Sequence, residues 1–181
     1  MLAVSCTLYC VLSFIDDTSN SSLTILAVGD SRYLLWADSL QSLIIDGYDM
    51  KIYLAVPIIA NRELEKAKAL AKVICDLGHE LTSTWVVSSE PDYTQAAAKV
   101  FKRDLDGVKN SDLLVAEVSH GSHGVGMEIM AAYLHGKRVI LLSESKARVS
   151  HMLEGVPNTM LIRYESTQDM ILKMISAINT R

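Results

Sequence analysis

The sequence has little of what usually marks a protein class at first sight. It holds three cysteines, Cys6, Cys10 and Cys75. They are too few and too irregularly spaced for a disulfide framework or a zinc site, and the odd number leaves a free thiol. A reducing, cytoplasmic setting is the expectation. The opening apolar run, Met1 to Ile15, has no basic segment ahead of it and is shorter than the ~20 residues of a spanning helix. A buried strand is therefore expected there, not a membrane anchor or an export signal. Charge of one sign is also lacking: the net charge is only -4. No basic patch offers itself to a phosphate backbone, which argues against polymeric nucleic acid as a partner and leaves a mononucleotide open. With 50% hydrophobic and 21% charged residues, the chain is neither disordered nor collagenous in composition. No internal repeat or low-complexity tract is present.

One scarcity is local. Residues 1–49 contain no lysine, and Arg32 is their sole basic residue against Asp16, Asp17, Asp30, Asp38, Asp46 and Asp49. After Met50 acids and bases nearly balance, which divides the chain into an N-terminal extension, 1–49, and a domain, 50–181. Within the extension, the polar run from Asp16 reads as a loop, Leu23 to Val28 as a strand, and Ser31 to Ile45 as an amphipathic helix ending at Gly47. Because Lys51 opens a complete α/β pattern by itself, Met50 also reads as an alternative initiator.

From Met50 onward strands and helices alternate. Lys51 to Val56 reads as a strand stopped by Pro57, which cannot donate to a central ladder. A helix with Asn61 as N-cap follows to Leu77 and stops at Gly78; its apolar stripe is Leu64, Ala67, Leu70, Ala71 and Ile74. Glu80 to Val87 reads as a β-branched strand, and a helix to about Lys109 turns Ala97, Val100, Phe101, Leu105 and Val108 to a core. Leu113 to Val118 is the next strand, followed by a polar, Gly-rich loop and a helix with Glu128 in its first turn, closed by Gly136. Strands at Arg138–Leu142 and Thr159–Tyr164, a short helix near Ala147–Glu154 and a last helix over Thr167–Ile178 complete the pattern. Such alternation demands right-handed crossovers and a parallel sheet covered on both faces. The fold class expected is a doubly wound α/β domain with a five-stranded parallel sheet, flavodoxin-like or Rossmann-like.

In that architecture chemistry gathers at the carboxyl ends of the strands, where residues near Tyr53, Glu90, Ser122, Glu128 and Ser145 can converge. The run Gly124-Val125-Gly126-Met127-Glu128 is no dinucleotide fingerprint, because Ile129 stands where a third glycine belongs. No Walker sequence exists, since Gly136-Lys137 is followed by Arg138. Gly124 and Gly126 either open backbone N–H groups to an anion or a sugar oxygen, or simply form a tight turn and admit helix–sheet packing. Glu128 at a helix start would be kept ionised by the helix dipole, as a nucleophile requires, or would merely stabilise the helix. Asp104, in an apolar-patterned helix, would either hold a proton for general acid work or pair with Lys99 or Lys102. Together the two carboxylates would supply a nucleophile and an acid for a retaining glycoside-type reaction. Glu117, His120 and His123 have a metal-like spacing, but a strand and a loop carry them and no cysteine is near, so no metal and no other cofactor is expected. Ser150 and His151 are adjacent and cannot face each other as a nucleophile and base.

The stretch from Phe101 to Leu142, with Asp104-Leu105-Asp106-Gly107, then Gly124-Val125-Gly126-Met127-Glu128, then Gly136-Lys137, resembles the nucleoside 2-deoxyribosyltransferase family, and Lys51 to Val56 is similar to that family's first strand. The likeness spans roughly Lys51 to Tyr164. It implies a flavodoxin-like fold and one of two activities. Transferases exchange bases between 2-deoxynucleosides; 2'-deoxynucleoside 5'-phosphate N-hydrolases release the base from a deoxynucleotide. By the match Glu128 is the nucleophile attacking the anomeric carbon, Asp104 assists departure of the base, and Tyr53 contacts the catalytic group. A sugar without an electron-withdrawing 2-OH reaches an oxocarbenium-like state easily, and a carboxylate can then trap C1'.

The resemblance also bears on the branch. Transferases have aspartate at the position of Ser122, where a serine can donate to a phosphate that aspartate would repel. Ser150 matches a hydrolase serine that reaches the phosphate of the neighbouring subunit in a homodimer. Gly124 and Gly126 belong to the same substrate-binding set, as do Pro57 and Ile58 in the first loop. That loop, Val56 to Arg62, departs from the mammalian-type hydrolase pattern, which leaves Arg62, Lys146 or Arg148 to serve a phosphate. The expectation is a hydrolase of 2'-deoxynucleoside 5'-monophosphates. The alternatives are a base-exchanging transferase and a nucleotide-binding module without catalysis.

Overall fold

A computed structural model describes residues 13–15, 22–28, 31–36, 49–89 and 94–180. The chain divides into two compact units, Met1–Gly47 and Tyr48–Arg181. In the first, strands β1 (Ser13–Ile15), β2 (Ser22–Val28) and β3 (Ser31–Trp36) form an antiparallel sheet in that order. The strand expected at Leu23–Val28 is present. The helix expected from Ser31 is not: its first six residues are β3, paired with β2 from Val28↔Ser31 to Leu23↔Trp36. Gly29-Asp30 is a dipeptide that two-residue hairpin connections favour, and the helical periodicity was outweighed by that pairing. The remainder of that expected helix, and most of the strand expected in the first fifteen residues, lie outside the described residues.

The second unit is the doubly wound domain. In chain order it comprises β4 (Lys51–Ala55), α1 (Leu64–Asp76), β5 (Glu80–Leu81), a 3-10 helix (Thr84–Val87), α2 (Ala97–Lys109) and β6 (Leu113–Glu117). Then follow α3 (His123–Leu134), β7 (Arg138–Glu144), α4 (His151–Glu154), β8 (Thr159–Tyr164) and α5 (Thr167–Asn179). The five strands are all parallel, in the order β5-β4-β6-β7-β8, with helices on both faces. β6 is buried along its whole length and β7 along all but its ends, as central strands of a covered parallel sheet must be. The chain leaves β4 to form β5 on one side and returns to form β6 on the other. The strand order therefore reverses between β4 and β6, and the crevice above their carboxyl ends is the switch point.

Several local expectations are corrected. β5 is two residues long, not eight. After Thr82 donates to the Ile52 carbonyl at 2.9 Å, the Ser83 hydroxyl takes over the ladder, accepting from Leu54 N–H and donating to its carbonyl, both at 2.8 Å. A side chain thus satisfies the backbone groups that a longer strand would pair, and the chain turns into the 3-10 helix. Asn61 does not cap α1; it lies two residues before the N-cap position, Glu63, with φ 54°. α3 begins at His123 behind Ser122, so Glu128 lies in its second turn. Gly78 and Gly136, at φ 85° and 65°, do end their helices in the left-handed conformation that glycine permits.

Candidate active site

The switch point positions three side chains. Tyr53 projects from the buried middle of β4 and its ring is fully enclosed. Its hydroxyl donates to Glu128 Oε1 of α3 at 2.6 Å, a short charge-assisted bond. Asp104, on α2, lines the same cleft as Glu128. Its Oδ1 accepts from Arg103 at 2.7 Å. The guanidinium of Arg103 in turn lies 4.2 Å from the ring centroid of Trp85, and Trp85 meets Tyr53 edge-on at 6.0 Å and 66°. Three elements with no sequence adjacency therefore form one contact chain, Trp85–Tyr53–Glu128, with Arg103 and Asp104 alongside.

The electrostatics differ from the sequence expectation. Glu128 keeps an edge on the cleft, yet the surrounding protein excludes bulk water, and this burial pushes its carboxyl up to about 7. The Tyr53 hydrogen bond works in the opposite direction, the nearby Asp104 adds to the rise, and Arg103 opposes it. The helix dipole does not keep this carboxylate ionised, because Glu128 lies beyond the first turn where that field acts. Burial also raises Asp104, against the pull of Arg103, and lifts the Tyr53 phenol far above its ordinary value, helped by Glu128. Two carboxyls that each retain a proton more readily than usual face one cleft. Such a pair can divide the roles of acid and nucleophile.

The cleft has a volume of ≈ 1280 Å³. Ile58, Val100, Phe101 and Met127 supply apolar wall; Ser88, Gln95 and Ser122 supply polar groups. The stripe of α2 expected to face a core is here. Only Val108 of it is fully buried, while Ala97, Val100, Phe101 and Leu105 line the opening, Phe101 with 54% of its surface exposed. A helix wall facing an apolar ligand site carries the same periodicity as one facing a core. Pro57 is buried and does not line the cleft, whereas Ile58 does.

Ser122 is the N-cap of α3, accepting weakly from Val125 N–H at 3.5 Å, and its hydroxyl hydrogen remains to be donated. It stands where the cleft meets a second hollow of ≈ 760 Å³, which Gly126, Arg148, Ser150 and His151 also line. Ser150 caps α4, accepting from Met152 N–H at 3.2 Å, and does not reach the cleft that holds Glu128. Gly124 and Gly126 lie in the first turn of α3. Gly126 N–H is engaged by the Ser122 carbonyl at 3.1 Å, so it offers no free donor. A Cβ at Gly124 would meet nothing closer than Ser122 Oγ at 4.0 Å, and one at Gly126 nothing at all, so neither glycine is required by packing. Arg62 donates to the Val86, Ser88 and Ser89 carbonyls, thereby tying down the 3-10 helix and the loop after it, and it lines neither hollow. Ser145 does not line the cleft, and Glu90 lies outside the described residues.

Glu117 and His120 do converge, with Glu63 in place of His123, their ligand atoms within 4.8 Å of one another. The Lys66 ammonium already lies 2.6 Å from Glu63 and 2.9 Å from Glu144. A cation is therefore built into that cluster by the chain itself.

Arg103 and Trp85, which shape the site, gave no functional signal in the sequence; Gly107 stood only as a member of the Asp104–Gly107 motif, with no role of its own. Trp85 reads as a strand residue, and Arg103 as one of several helix charges.

A cleft at the switch point of a doubly wound sheet, holding two carboxyls and a phenol, places the protein among α/β enzymes that work at that crevice. Residues 52–162, more than half of the chain, match the family described as nucleoside 2-deoxyribosyltransferase, and the chain belongs to that family. It is 35% identical over 136 residues to "Putative 2'-deoxynucleoside 5'-phosphate N-hydrolase 1" of Thermofilum pendens, covering 71% of this chain and 95% of the relative. Among solved structures it is similar to the CMP N-glycosidase BcmB of Clostridium botulinum, with a TM-score of 0.56 and 23% identity over 70% of this chain and 98% of that one; at that identity the likeness is one of fold. The 2-deoxyribosyltransferase of Bacillus psychrosaccharolyticus has a TM-score of 0.51 and 25% identity over 66% and 88% of the two chains.

Proposed function

We propose that this enzyme is an N-glycosidase that hydrolyses 2'-deoxynucleoside 5'-monophosphates to free base and 2-deoxyribose 5-phosphate. The observation that carries the reading is the 2.6 Å bond from Tyr53 to one oxygen of Glu128 at the edge of the cleft shared with Asp104. With Oε1 held, Oε2 of ionised Glu128 attacks C1' of the sugar. The C1'–N bond breaks, its electron pair leaves with the base, and protonated Asp104 supplies the proton that neutralises it. Water then attacks C1' of the glutamyl ester, giving its proton back to Asp104 and returning Glu128 as carboxylate. Tyr53 stabilises the carboxylate as it departs. The chemistry asks for no metal or redox cofactor.

Hydrolysis of a nucleotide is preferred to base exchange because Ser122, a hydroxyl donor, stands where the cleft opens to a hollow holding Arg148. The curated relative is also named for that reaction. Exposed Met127, Met130, Tyr133 and Leu134 on α3 support a face covered by a second copy, so the working unit is a homodimer in which Ser150 serves the partner's phosphate. No helix among the described residues is long and apolar enough to cross a membrane.

Incubation with dGMP tests the reaction: deoxyribose 5-phosphate and free guanine are expected. Formation of a new nucleoside from deoxyinosine plus adenine, with dGMP untouched, would establish the transferase instead. Binding of dGMP without release of base would establish a non-catalytic module. Ser122→Asp is expected to raise KM for dGMP at least about tenfold by placing a carboxylate against the phosphate. Deoxyguanosine turnover should change far less.

A further inference from the structure

Gly107 is a glycine that its own backbone does not need. It lies inside α2, near the C-terminal end, and its φ is not in the left-handed region that explains Gly78 and Gly136. At an interior helical position glycine is less favourable than alanine by about 1 kcal/mol. The reason for it lies across the interface. A Cβ at 107 would stand 2.8 Å from Tyr53 Cε2, 3.1 Å from Tyr53 Cδ2 and 3.2 Å from Trp85 Cη2. Gly124 and Gly126, by contrast, have open space around them.

We propose that Gly107 is a positioning residue: its missing side chain lets α2 close on β4, so that the Tyr53 ring is held with its hydroxyl on Glu128. The inference rests on the reading of Glu128 as the reacting carboxylate. Tyr53 has little freedom to retreat. It is fully buried on a central strand and belongs to the packed cluster of Leu114, Ala116 and Val139, with Trp85 against its edge. Trp85 is in turn covered by the Arg103 guanidinium. Because Trp85 and the surrounding cluster oppose a twist of the ring about its own axis, a methyl group at 107 is relieved by tilting the ring about its attachment to β4. The hydroxyl lies farther from that pivot than Cε2, so it moves at least as far as the carbon that is pushed. A bond of 2.6 Å does not survive a displacement of several tenths of an ångström in strength or direction. Gly107 does not line the cleft, so substrate binding should be spared.

Gly107→Ala is expected to lower kcat for dGMP about 10- to 100-fold, the value of a hydrogen bond to a charged group, with KM changed less than about threefold. Two readouts separate positioning from general damage. In a Tyr53→Phe background, which keeps the ring and removes the hydroxyl, adding Gly107→Ala should reduce kcat less than about threefold further. A carbon-13 NMR titration of the Glu128 carboxyl should move upward in Gly107→Ala, because the Tyr53 donor favours the ionised form. An equal loss of kcat with and without the Tyr53 hydroxyl, or an unmoved Glu128 titration, overturns the proposal.

Should Gly107→Ala fail to fold, the pair Gly107→Ala with Tyr53→Leu decides. With the ring gone it should fold and melt within a few degrees of Tyr53→Leu alone; a double variant that still fails to fold overturns the proposal. Full turnover in Glu128→Gln would remove the catalytic reading, yet the titration and the folding pair would still judge the placement of Tyr53 by Gly107.

Discussion

Among the described residues the domain has two glutamate–tyrosine pairs, one joining β4 to α3 and the other joining β8 to β6 on either side of β7, and they have opposite surroundings. Tyr53 donates to Glu128 at 2.6 Å; Tyr164 donates to Glu117 at 2.8 Å. Alternation along β6 turns Glu117 away from Ala116 and Val118, which pack in the cluster around Tyr53, and towards α1. There Glu117 is sealed, 2% exposed, and accepts also from the Ser119 hydroxyl. Lys66 donates to Tyr164, Glu63 and Glu144. Burial alone would lower that ammonium, but its hydrogen bonds outweigh the effect and hold it above the ordinary lysine value. Burial likewise pushes Tyr164 up to about 12.

Among the described residues Glu128 has no lysine beside it, has Asp104 as its charged neighbour together with Arg103, and opens on a cleft. The same two residue types therefore make a closed ionic brace in one place and, in the other, the cleft-facing pair proposed as the reactive centre. What distinguishes them is access and the absence of a resident ammonium.

Substituting the two glutamates breaks the comparison most sharply. Glu128→Gln should lower kcat for dGMP by at least about 1000-fold, while Glu117→Gln should leave it within about threefold. Chromatographic assay of base release reads both. The tyrosines come next. Tyr53→Phe should reduce kcat about 10- to 100-fold, as loss of a hydrogen bond to a charged group implies. Tyr164→Phe should spare kcat and lower stability by about 1 kcal/mol in urea denaturation.

The last contrast is in the pH dependence of stability. In the folded protein Glu128 titrates at about 7, above its ordinary 4.5. The native state thus binds more protons than the unfolded chain between those values. This group's stability contribution is complete below about 4.5 and is lost as pH rises through about 7. Glu128→Gln, neutral throughout, should match the wild type at pH 4 and exceed it at pH 8 by about 1 to 2 kcal/mol. Glu117→Gln should be less stable than the wild type at pH 8. Variants shifting in the same direction there would erase the distinction between the two centres.

How much of this was legible in the sequence follows from which interactions are local. The alternation of strands and helices, the stops at Gly78 and Gly136 and the burial of β6 depend on periodicity and backbone preference, and they appeared where expected. Tyr53, Asp104 and Glu128 could be named as candidates because the resemblance aligned them, and the switch point brings their elements together. Their electrostatics could not be read. Whether Glu128 is governed by a helix dipole or by burial depends on where α3 begins and on what packs over it.

The apolar stripe of α2 was misassigned to a core because Val100 and Phe101 have the same spacing whether they meet protein or ligand. β5 was overestimated because nothing in Glu80 to Val87 announces that Ser83 will replace the backbone ladder with its hydroxyl. Gly107 stands in the motif that carries the resemblance, but its physical reason is a distance to Tyr53 across the sheet interface, and no local pattern contains that distance.

The central claim, that Glu128 is the carboxylate that captures the sugar, is tested most directly by trapping. A 2'-fluoro analogue of dGMP carries an electron-withdrawing substituent that slows departure of a trapped sugar from the enzyme. Peptide mass spectrometry after reaction with it should find the fluorinated sugar phosphate esterified to Glu128. Attachment to Asp104 or Glu117, or release of guanine with no ester on the protein, would contradict the account.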